Sequence, residues 1–545
     1  MNSIVSTSTT LSSTTISTIS DNITNVVGAR LEDQVHETVM KALAEMAHTY
    51  FPKVAANHSN DMLDLSELII PPCRLQQLRH FLRNPTAQFS CHEQAVLLEL
   101  MLRRTQNVLA VLGTGLGKTL AVLMQATLQN DLVTIVVLPM SSLHDDFKRR
   151  ALELGVSYSR WNTNGKFNPD VNVISVSIEH LGFSAFANYV YFFYFQMISC
   201  LLFYRFISEL EHNRRLGPLV FDEIHKLLTD SDYRNAFDNF RVLHMVKGVV
   251  FGLTGSLPPS LYPAFCEFTR MTWRIIRTPS SRKELKYQVV KVSSENELDT
   301  AIITYLNSVV PIYRSNERAM VFCRSRDQAR RLATLLNVQP YYAVQKEEEM
   351  EVNEETMKKW RKGENKVMVC TSFLGCGWDQ GHVRDVVHRD PSYTMIDQYQ
   401  EDSRGGRDGL ECRATTFVVN NKQYRVTNSQ YDLGSKALFD SMHDDHTCRR
   451  TAPTLYLDGR PAQCITIPGA IFCEICESQS TITSAARNSS PPCRVADIFN
   501  SNTPRRIDFR EMVRQDKKRS RPGSRTSSIS SLVIDTTYVC LMYCY

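Results

Sequence analysis

Residues 107–119 read Asn-Val-Leu-Ala-Val-Leu-Gly-Thr-Gly-Leu-Gly-Lys-Thr. The apolar run Val108 to Leu112 is typical of a buried parallel strand, and the glycine-rich turn after it leads into a segment with helical spacing. Glycines let backbone N–H groups approach phosphate oxygens closely, and the N-terminus of the following helix favours negative charge. The stretch therefore predicts a phosphate-binding loop in an α/β fold.

The residue types in this loop fit a nucleoside triphosphate with magnesium. Lys118 is predicted to reach the β- and γ-phosphates, and the Thr119 hydroxyl to hold Mg²⁺. The remaining predicted nucleotide contacts are Thr114, Gly115, Leu116 and Gly117. The strict loop pattern has glycine where this chain has Leu112, whereas the Thr-Gly-x-Gly-Lys-Thr core is intact. A glycine turn that binds no ligand is the alternative.

The composition is ordinary for a soluble protein of more than one domain. The chain has 545 residues, of which 43% are hydrophobic and 22% charged, which suffices for two or three cores. The net charge of +5 does not indicate nucleic acid, because Arg505 to Arg525 alone holds nine basic against three acidic residues. The fifteen cysteines follow an N-terminus that lacks a signal-peptide pattern, which favours thiols or a metal cluster over disulfides.

Two further groups of residues predict nucleotide chemistry. Asp222 and Glu223 follow the apolar run 219–221, at the end of a parallel strand where ligands bind. Asp222 is predicted to hold Mg²⁺ and Glu223 to orient the attacking water, with a solvated acidic pair as the alternative. Gln94 precedes the phosphate loop on a helix, and its amide can read an adenine edge, with an exposed helix glutamine as the alternative.

A second set of alternating strands and helices begins near Lys286 and reaches the segment Gln400–Gly409. Arg404 and Arg407 lie in that segment, three residues apart, and are predicted to share one helical turn. Arginine suits a γ-phosphate held by another domain, because its planar guanidinium binds phosphate oxygens bidentately and stays charged.

These elements, in this order, resemble the RecQ-like branch of the superfamily 2 helicases from about Phe89 to Cys476. The resemblance implies two RecA-like domains that bind ATP between them, translocate on single-stranded DNA and unwind duplex DNA with 3′ to 5′ polarity. It also implies that Gln94 reads adenine and that Arg407, with Arg404 beside it, is the arginine finger. The segment 114–119 is similar to helicase motif I, and 138–146 is similar to motif Ia. Motifs II, III, IV, V and VI are matched, in that order, by the segments 222–225, 254–256, 321–326, 371–379 and 400–409.

Two details refine this resemblance. Asp232-Tyr233-Arg234 sit where the family has an aromatic-rich loop that senses single-stranded DNA, but the usual tryptophan is missing. The sequence around the motifs is similar to that of RecQ-type helicases expanded in fungal genomes, some of which are carried by mobile or subtelomeric elements.

A cysteine cluster follows the arginine segment. Its members are Cys448, Cys464, Cys473 and Cys476, and the last two form a Cys-x-x-Cys pair. Four thiolates suit tetrahedral Zn²⁺, so the set predicts one structural zinc ion, with four ordinary thiols as the alternative. The cluster also resembles the zinc-binding subdomain that follows the motor in RecQ helicases.

Two segments fit the helicase pattern less well. Leu181 to Tyr204 contains no charged residue and is long enough for a membrane span, but it interrupts the first domain ahead of the Asp-Glu strand. The prediction is therefore an inserted segment around residues 189–204, for which a translated intron is one origin, and no membrane partner. Lys517 to Arg521 predicts a nuclear localisation patch or a DNA-binding arm, with a solvated charge run as the alternative.

The sequence therefore predicts an ATP-dependent DNA helicase of the nucleus that uses ATP, Mg²⁺ and Zn²⁺ and binds single-stranded and duplex DNA. The alternatives are a superfamily 2 RNA helicase, a translocase that does not unwind, and a degenerate nucleic-acid-binding relic without ATPase activity. The predicted order is a disordered Ser/Thr-rich start (1–27), a helical extension (28–85), two RecA-like domains (86–280 and 281–425), a zinc-binding subdomain (426–477) and a disordered basic tail (478–545).

Overall fold

The computed structural model describes residues 62–63, 68–161, 168, 170–181, 203, 205–230, 248–344, 346–371, 381–427 and 429–480. Several predictions from the sequence lie outside these residues. They are the disordered start, most of the helical extension, the aromatic-rich loop at 232–234, most of the motif V segment, most of the apolar segment 182–204, and the tail from 481 with its basic run.

The first domain is built on a seven-stranded sheet in which every described pairing is parallel. Its strands are β1 (Val108–Val111), β2 (Val133–Leu138), β3 (Tyr158–Arg160), β4 (Val173–Ser177), β5 (Leu216–Phe221), β6 (Val250–Thr254) and β7 (Arg274–Arg277), in the order β3-β4-β2-β5-β6-β1-β7. Successive residues of β1 enter different hydrophobic clusters, Leu109 on one face and Val108 on the other. A sheet covered on both faces explains why its strands are continuous apolar runs.

The second domain repeats this plan with six strands. They are β8 (Leu285–Val292), β9 (Arg318–Cys323), β10 (Pro340–Tyr341), β11 (Val367–Thr371), β12 (Val383–Arg389) and β13 (Cys412–Val419), in the order β10-β11-β9-β12-β13-β8. All of their pairings are parallel. The tandem α/β architecture predicted from the sequence is confirmed.

Helices connect the strands, as parallel pairing requires. They are α1 (Cys73–Phe81), α2 (His92–Arg103), α3 (Lys118–Leu128), α4 (Ser141–Glu153), α5 (Lys226–Thr229), α6 (Tyr262–Thr269), α7 (Glu295–Val309), α8 (Arg326–Leu335), α9 (Glu347–Lys362), α10 (Met395–Asp402), α11 (Ser435–His443) and α12 (Thr451–Asp458). Within the described ranges, none of the helices has the length and apolar character of a membrane span.

The apolar segment that interrupts the first domain is described at its two ends. Leu181 and Phe203 are both buried in a core cluster of that domain. The Phe203 ring meets the ring of Trp161 edge-on, with centroids 5.2 Å apart, and Phe206 lies 5.3 Å from the same tryptophan. Phe203 is the one described residue of the predicted insertion at 189–204, and it belongs to the domain core.

A buried acid organises the second domain. Asp385 on β12 is fully buried, and its carboxylate accepts hydrogen bonds from Arg413 Nε at 2.7 Å and from a terminal nitrogen of Arg413 at 2.6 Å. The hydroxyls of Tyr305 and Tyr313 donate to the same carboxylate. A buried charge is tolerated where its hydrogen-bonding capacity is filled in this way.

Replacing Asp385 by alanine is expected to lower the free energy of unfolding by about 3–5 kcal/mol, because Arg413 and two tyrosine hydroxyls lose their acceptor. Urea denaturation followed by intrinsic fluorescence, to which the buried Trp360 contributes, measures this change. The matched control is Asp440→Ala at an exposed position, for which a change within about 0.5 kcal/mol is expected. Equal stability of the two variants would contradict the assignment.

Candidate active site

The phosphate loop joins β1 to α3 and depends on glycine at its end. Gly117 has φ +74°, and a Cβ there would lie 2.1 Å from Nε2 of Gln94. Lys118 begins α3, and its Nζ donates hydrogen bonds to the carbonyl oxygens of Leu112 at 2.7 Å and Gly113 at 3.4 Å. The lysine side chain therefore folds back over the loop, and its contact with the β- and γ-phosphates stays a prediction.

Leu112 stands where the strict pattern has glycine, and the structure explains why leucine is accepted. Its side chain is fully buried in a core cluster, and its backbone N–H donates to the Thr254 carbonyl at 2.9 Å. Leu112 is not among the described residues with positive φ, so the backbone there does not require glycine. The departure from the pattern leaves the loop intact.

Gln94 braces the same loop. Its side chain is 1% exposed, its Oε1 accepts from the Ser90 N–H at 2.7 Å, and its Nε2 donates to the Gly117 carbonyl at 3.0 Å. The alternative of an exposed helix glutamine is therefore wrong. Its reading of adenine stays a prediction.

Asp222 and Glu223 lie directly after β5, on the loop's side of the sheet. The Glu223 N–H donates to Asp222 Oδ1 at 3.0 Å, and Glu223 has φ +49°, a strained backbone of the kind that functional sites hold. Burial, with help from the charge of Glu223, raises the pKa of Asp222 to about 6, and Lys118 opposes that rise. Burial lowers the pKa of Lys118, while Glu223 and Asp222 act to raise it. The lysine and both acids thus share one electrostatic site.

The site also holds buried oxygens that lack hydrogen bonds within the described part of the chain. They are Thr114 Oγ1 and Glu223 Oε2, although the latter lies 3.3 Å from Nδ1 of His225. Oxygen donors and hydroxyls of this kind suit magnesium and its water ligands. Thr119 and Asp222, the predicted magnesium ligands, are both half-buried.

A buried polar chain connects the acids to the second domain. Gln400 on α10 donates from Nε2 to His225 Nε2 at 2.9 Å and to Ser256 Oγ at 3.1 Å. His225 Nε2 is therefore the acceptor, so Nδ1 carries the proton and donates to Thr254 Oγ1 at 2.8 Å. Burial lowers the pKa of His225 to about 4, so the ring is neutral at physiological pH. His225 therefore forms hydrogen bonds with residues of both domains.

The two arginines do not share a helical turn, which corrects the sequence prediction. Helix α10 ends at Asp402, and both arginines lie in the loop 403–409, called the arginine loop below. Gly406, between them, has φ +60°, a left-handed backbone conformation that separates the two arginines. The Nε of Arg407 donates to the Ser403 carbonyl at 3.1 Å, and the charge of Arg407 contributes to lowering the pKa of Lys118, after burial. A Cβ at Gly113 would lie 3.5 Å from the hydroxyl of Tyr399, so α10, which leads into the arginine loop, lies beside the phosphate loop.

Comparison with known proteins agrees with this geometry. The DEAD/DEAH box helicase family matches residues 91–261, and the helicase conserved C-terminal domain matches residues 301–409. The chain belongs to the superfamily 2 helicases and is RecQ-like. The RecQ likeness is shown by its curated relatives, which are named as DNA helicases of the RecQ type.

Three relatives illustrate the similarity. Putative ATP-dependent DNA helicase Q1 of Caenorhabditis briggsae is 25% identical over 69% of this chain, and ATP-dependent DNA helicase Q-like 2 of Arabidopsis thaliana is 26% identical over 78%. ATP-dependent DNA helicase RecQ of Bacillus subtilis is 25% identical over 67% of this chain. The matches cover 61%, 60% and 62% of those relatives. These relatives are a nematode, a plant and a bacterial protein, so the predicted fungal and mobile-element origin gains no support from them.

Among solved structures, S. cerevisiae Dbp5 bound to RNA and ADP BeF3 aligns with 66% of this RecQ-like chain and 90% of its own, with a TM-score of 0.48 and 15% identity.

The cysteine cluster of the RecQ-like chain is assembled after the second domain. Cys448, Cys464, Cys473 and Cys476 present sulfur atoms that all lie within 4.8 Å of one another. The Sγ of Cys448 is 3.5 Å from that of Cys464 and 3.8 Å from that of Cys473. Four ligands at about 2.3 Å from a tetrahedral zinc ion are about 3.8 Å apart, so these separations fit the metal. Two backbone N–H groups also donate to the cluster's sulfurs, each at 3.3 Å.

The sequence did not reveal every residue around the site. Thr278 Oγ1 accepts a hydrogen bond from the Gly113 N–H at 3.1 Å, and Arg282 contacts the arginine loop. Neither residue belongs to a recognisable motif, since both lie in the chain between the two sheets. Their only signal is position, immediately after the last strand of the first domain.

A buried charged triad lies beneath the arginine loop. His388 on β12 contacts Asp402 Oδ1 through Nε2 at 2.8 Å and Glu401 Oε2 through Nδ1 at 3.4 Å. Hydrogen bonds and charge from these two acids outweigh the effect of burial and raise the pKa of His388 to about 9. The ring is therefore an imidazolium at neutral pH, and it fixes the end of α10.

This triad predicts a pH-dependent stability. Because the pKa of His388 is raised on folding, its contribution is present below about pH 6.5 and is lost as the pH rises through about 9. We expect the wild type to lose about 3 kcal/mol more unfolding free energy than His388→Gln between pH 6.5 and pH 9.5. Denaturant titration at both pH values measures this, with exposed His446→Gln as the control. Parallel pH curves for the wild type and His388→Gln would refute the charged triad.

Proposed function

We propose that this chain is an ATP-dependent DNA helicase that couples ATP hydrolysis to movement along single-stranded DNA. The observation that carries the proposal is the contact between the two domains beside the acids, where Gln400 donates to His225, two residues after Glu223, at 2.9 Å. The effect of the Arg407 charge on Lys118 supports it. A site shared by two domains changes when the γ-phosphate between them is lost, so hydrolysis drives opening and closing. RecQ-type relatives named as DNA helicases support the choice of DNA.

The proposed roles follow from position. Lys118 and the loop amides bind the phosphates, and Gln94, next to the loop, reads the adenine. Thr119 and Asp222 hold magnesium, which supplies charge neutralisation for the transferred phosphoryl group. Glu223 orients the attacking water, and Arg407, assisted by Arg404, stabilises charge on the γ-phosphate from the opposite domain.

Replacing Lys118 by alanine is expected to lower DNA-stimulated ATP hydrolysis about a hundredfold or more, because a charge aimed at the phosphates is removed. Steady-state phosphate release with and without single-stranded DNA measures this on the full chain. The matched control is Lys358→Ala, which removes an exposed lysine paired with Glu355 at 4.0 Å and is expected to keep wild-type turnover. A wild type without turnover would favour the relic alternative.

The nucleic acid and the polarity need a second measurement. Single-stranded RNA in place of DNA separates a DNA helicase from an RNA helicase, because an RNA-driven motor is stimulated by RNA. Partial duplexes with either a 3′ or a 5′ tail test unwinding, and the RecQ likeness predicts that only the 3′-tailed duplex is opened. Stimulated hydrolysis without strand separation on either duplex would leave a translocase.

We also propose that the cysteine cluster binds one structural Zn²⁺ through four thiolates. The sulfur separations and the N–H groups directed at sulfur support this, because such donors stabilise thiolates bound to zinc. The ion would tie together the chain segments before and after α12, since Cys473 and Cys476 lie 25 and 28 positions downstream of Cys448.

Zinc analysis of purified protein is expected to find about one ion per chain. Cys473→Ser is expected to lose the ion and to lower the unfolding midpoint, because a four-ligand site loses a ligand. Cys266→Ser is the control, since this buried cysteine lies in the first domain's core. A metal-free wild type, or a Cys473→Ser variant that unfolds like the wild type, would contradict the zinc site.

A nuclear location is proposed from the basic run Lys517–Arg521. Imaging of a tagged chain with this run replaced by alanine tests it, and unchanged nuclear signal would oppose the assignment of the run.

A further inference from the structure

Seven residues, 278–284, join the two sheets and are called the linker. Its first residue is bonded to the phosphate loop. Thr278 donates its N–H to the Val111 carbonyl at 3.0 Å, and its hydroxyl accepts from the Gly113 N–H at 3.1 Å. The linker therefore starts on the loop that is proposed to hold the phosphates.

Four residues later the linker binds the arginine loop. Arg282 donates from its two terminal nitrogens to the Ser403 carbonyl at 2.8 Å and the Gly406 carbonyl at 2.9 Å. Arg407 donates to the same Ser403 carbonyl at 3.1 Å, so both arginines meet at one backbone oxygen. The Nε of Arg282 is held by Glu284 at 2.6 Å, and its side chain is 11% exposed. A planar guanidinium bonded on three sides has little freedom to move.

The linker itself is fixed from the C-terminal side. Asp458, the last residue of α12, accepts from the Ser280 N–H at 2.9 Å and from its hydroxyl at 2.8 Å. Arg450, which is 1% exposed, donates to the Arg282 carbonyl at 2.7 Å and to the Leu285 carbonyl at 2.6 Å. The backbone from which Arg282 extends is thus anchored to the cysteine-bearing region.

We propose that Arg282 is a positioning residue for ATP hydrolysis, which holds the arginine loop in register with the phosphate loop through the linker. The inference rests on the proposed function, because the step that it assists is phosphoryl transfer. Arg282 contacts the backbone of the arginine loop at both ends of the segment that carries Arg404. A misplaced arginine finger costs rate more than nucleotide affinity, since the phosphate loop still binds ATP.

The test is a kinetic cycle on the full chain with saturating single-stranded DNA. Arg282→Ala is expected to lower kcat about tenfold while the KM for ATP changes by less than about twofold. Arg407→Ala is expected to lower kcat about a hundredfold or more, and the double variant to be no slower than Arg407→Ala alone. Arg282→Lys, which keeps the charge but not the fork, is expected to recover part of kcat.

Exposed Arg205, which pairs with Glu209 at 3.0 Å, supplies the matched control as Arg205→Ala with wild-type kinetics. If Arg282→Ala does not fold, Glu284→Gln tests the same contact and is expected to lower kcat about threefold without a change in KM. A kcat within about twofold of wild type in these variants, or a double variant slowed by the full additional factor, would overturn the proposal. Wild-type turnover in the same assay separates that result from failure of the ATPase itself.

Discussion

Apolar packing between the two domains is the contact on which the site depends. Ile396 and Tyr399, on one face of α10, are buried in the same cluster as Ile224 and Leu257 of the first domain. Gln400 is the next residue of that helix, and the arginine loop follows the helix. Burying these two side chains therefore also brings the polar groups into place. Apolar contact is not directional, so it supplies attraction, whereas the hydrogen bonds from Gln400 fix the register.

The polar chain at this interface works because its central group is uncharged. A neutral His225 accepts at one ring nitrogen and donates at the other, so it relays orientation without bringing a buried charge into the cleft. The adjoining triad is the opposite case, in which His388 is charged and two acids compensate it. The charged triad therefore fixes the end of α10 within the second domain, whereas the neutral contact of Gln400 with His225 joins that helix to the first domain.

The sequence predicted the architecture because parallel strands buried on both faces leave unmistakable apolar runs, such as residues 133–138. It predicted Lys118, Asp222 and Glu223 because their roles require fixed residue types at the ends of those runs. Local periodicity could not place Arg404 and Arg407, since α10 ends at Asp402, before both of them, and Gly406 turns the chain between them. It also could not predict the contacts of Arg282 with the arginine loop or of Asp458 with the linker, because each joins residues more than 100 positions apart. The catalytic assignments and domain boundaries remain predictions.

The linker has a mechanical consequence. A chain of seven residues bonded at Thr278, Ser280 and Arg282 is a short hinge, because each of these bonds reduces the number of residues that are free to bend. A short hinge limits the directions in which two domains can rotate, so the cleft between them opens along fewer paths than it would with a free linker.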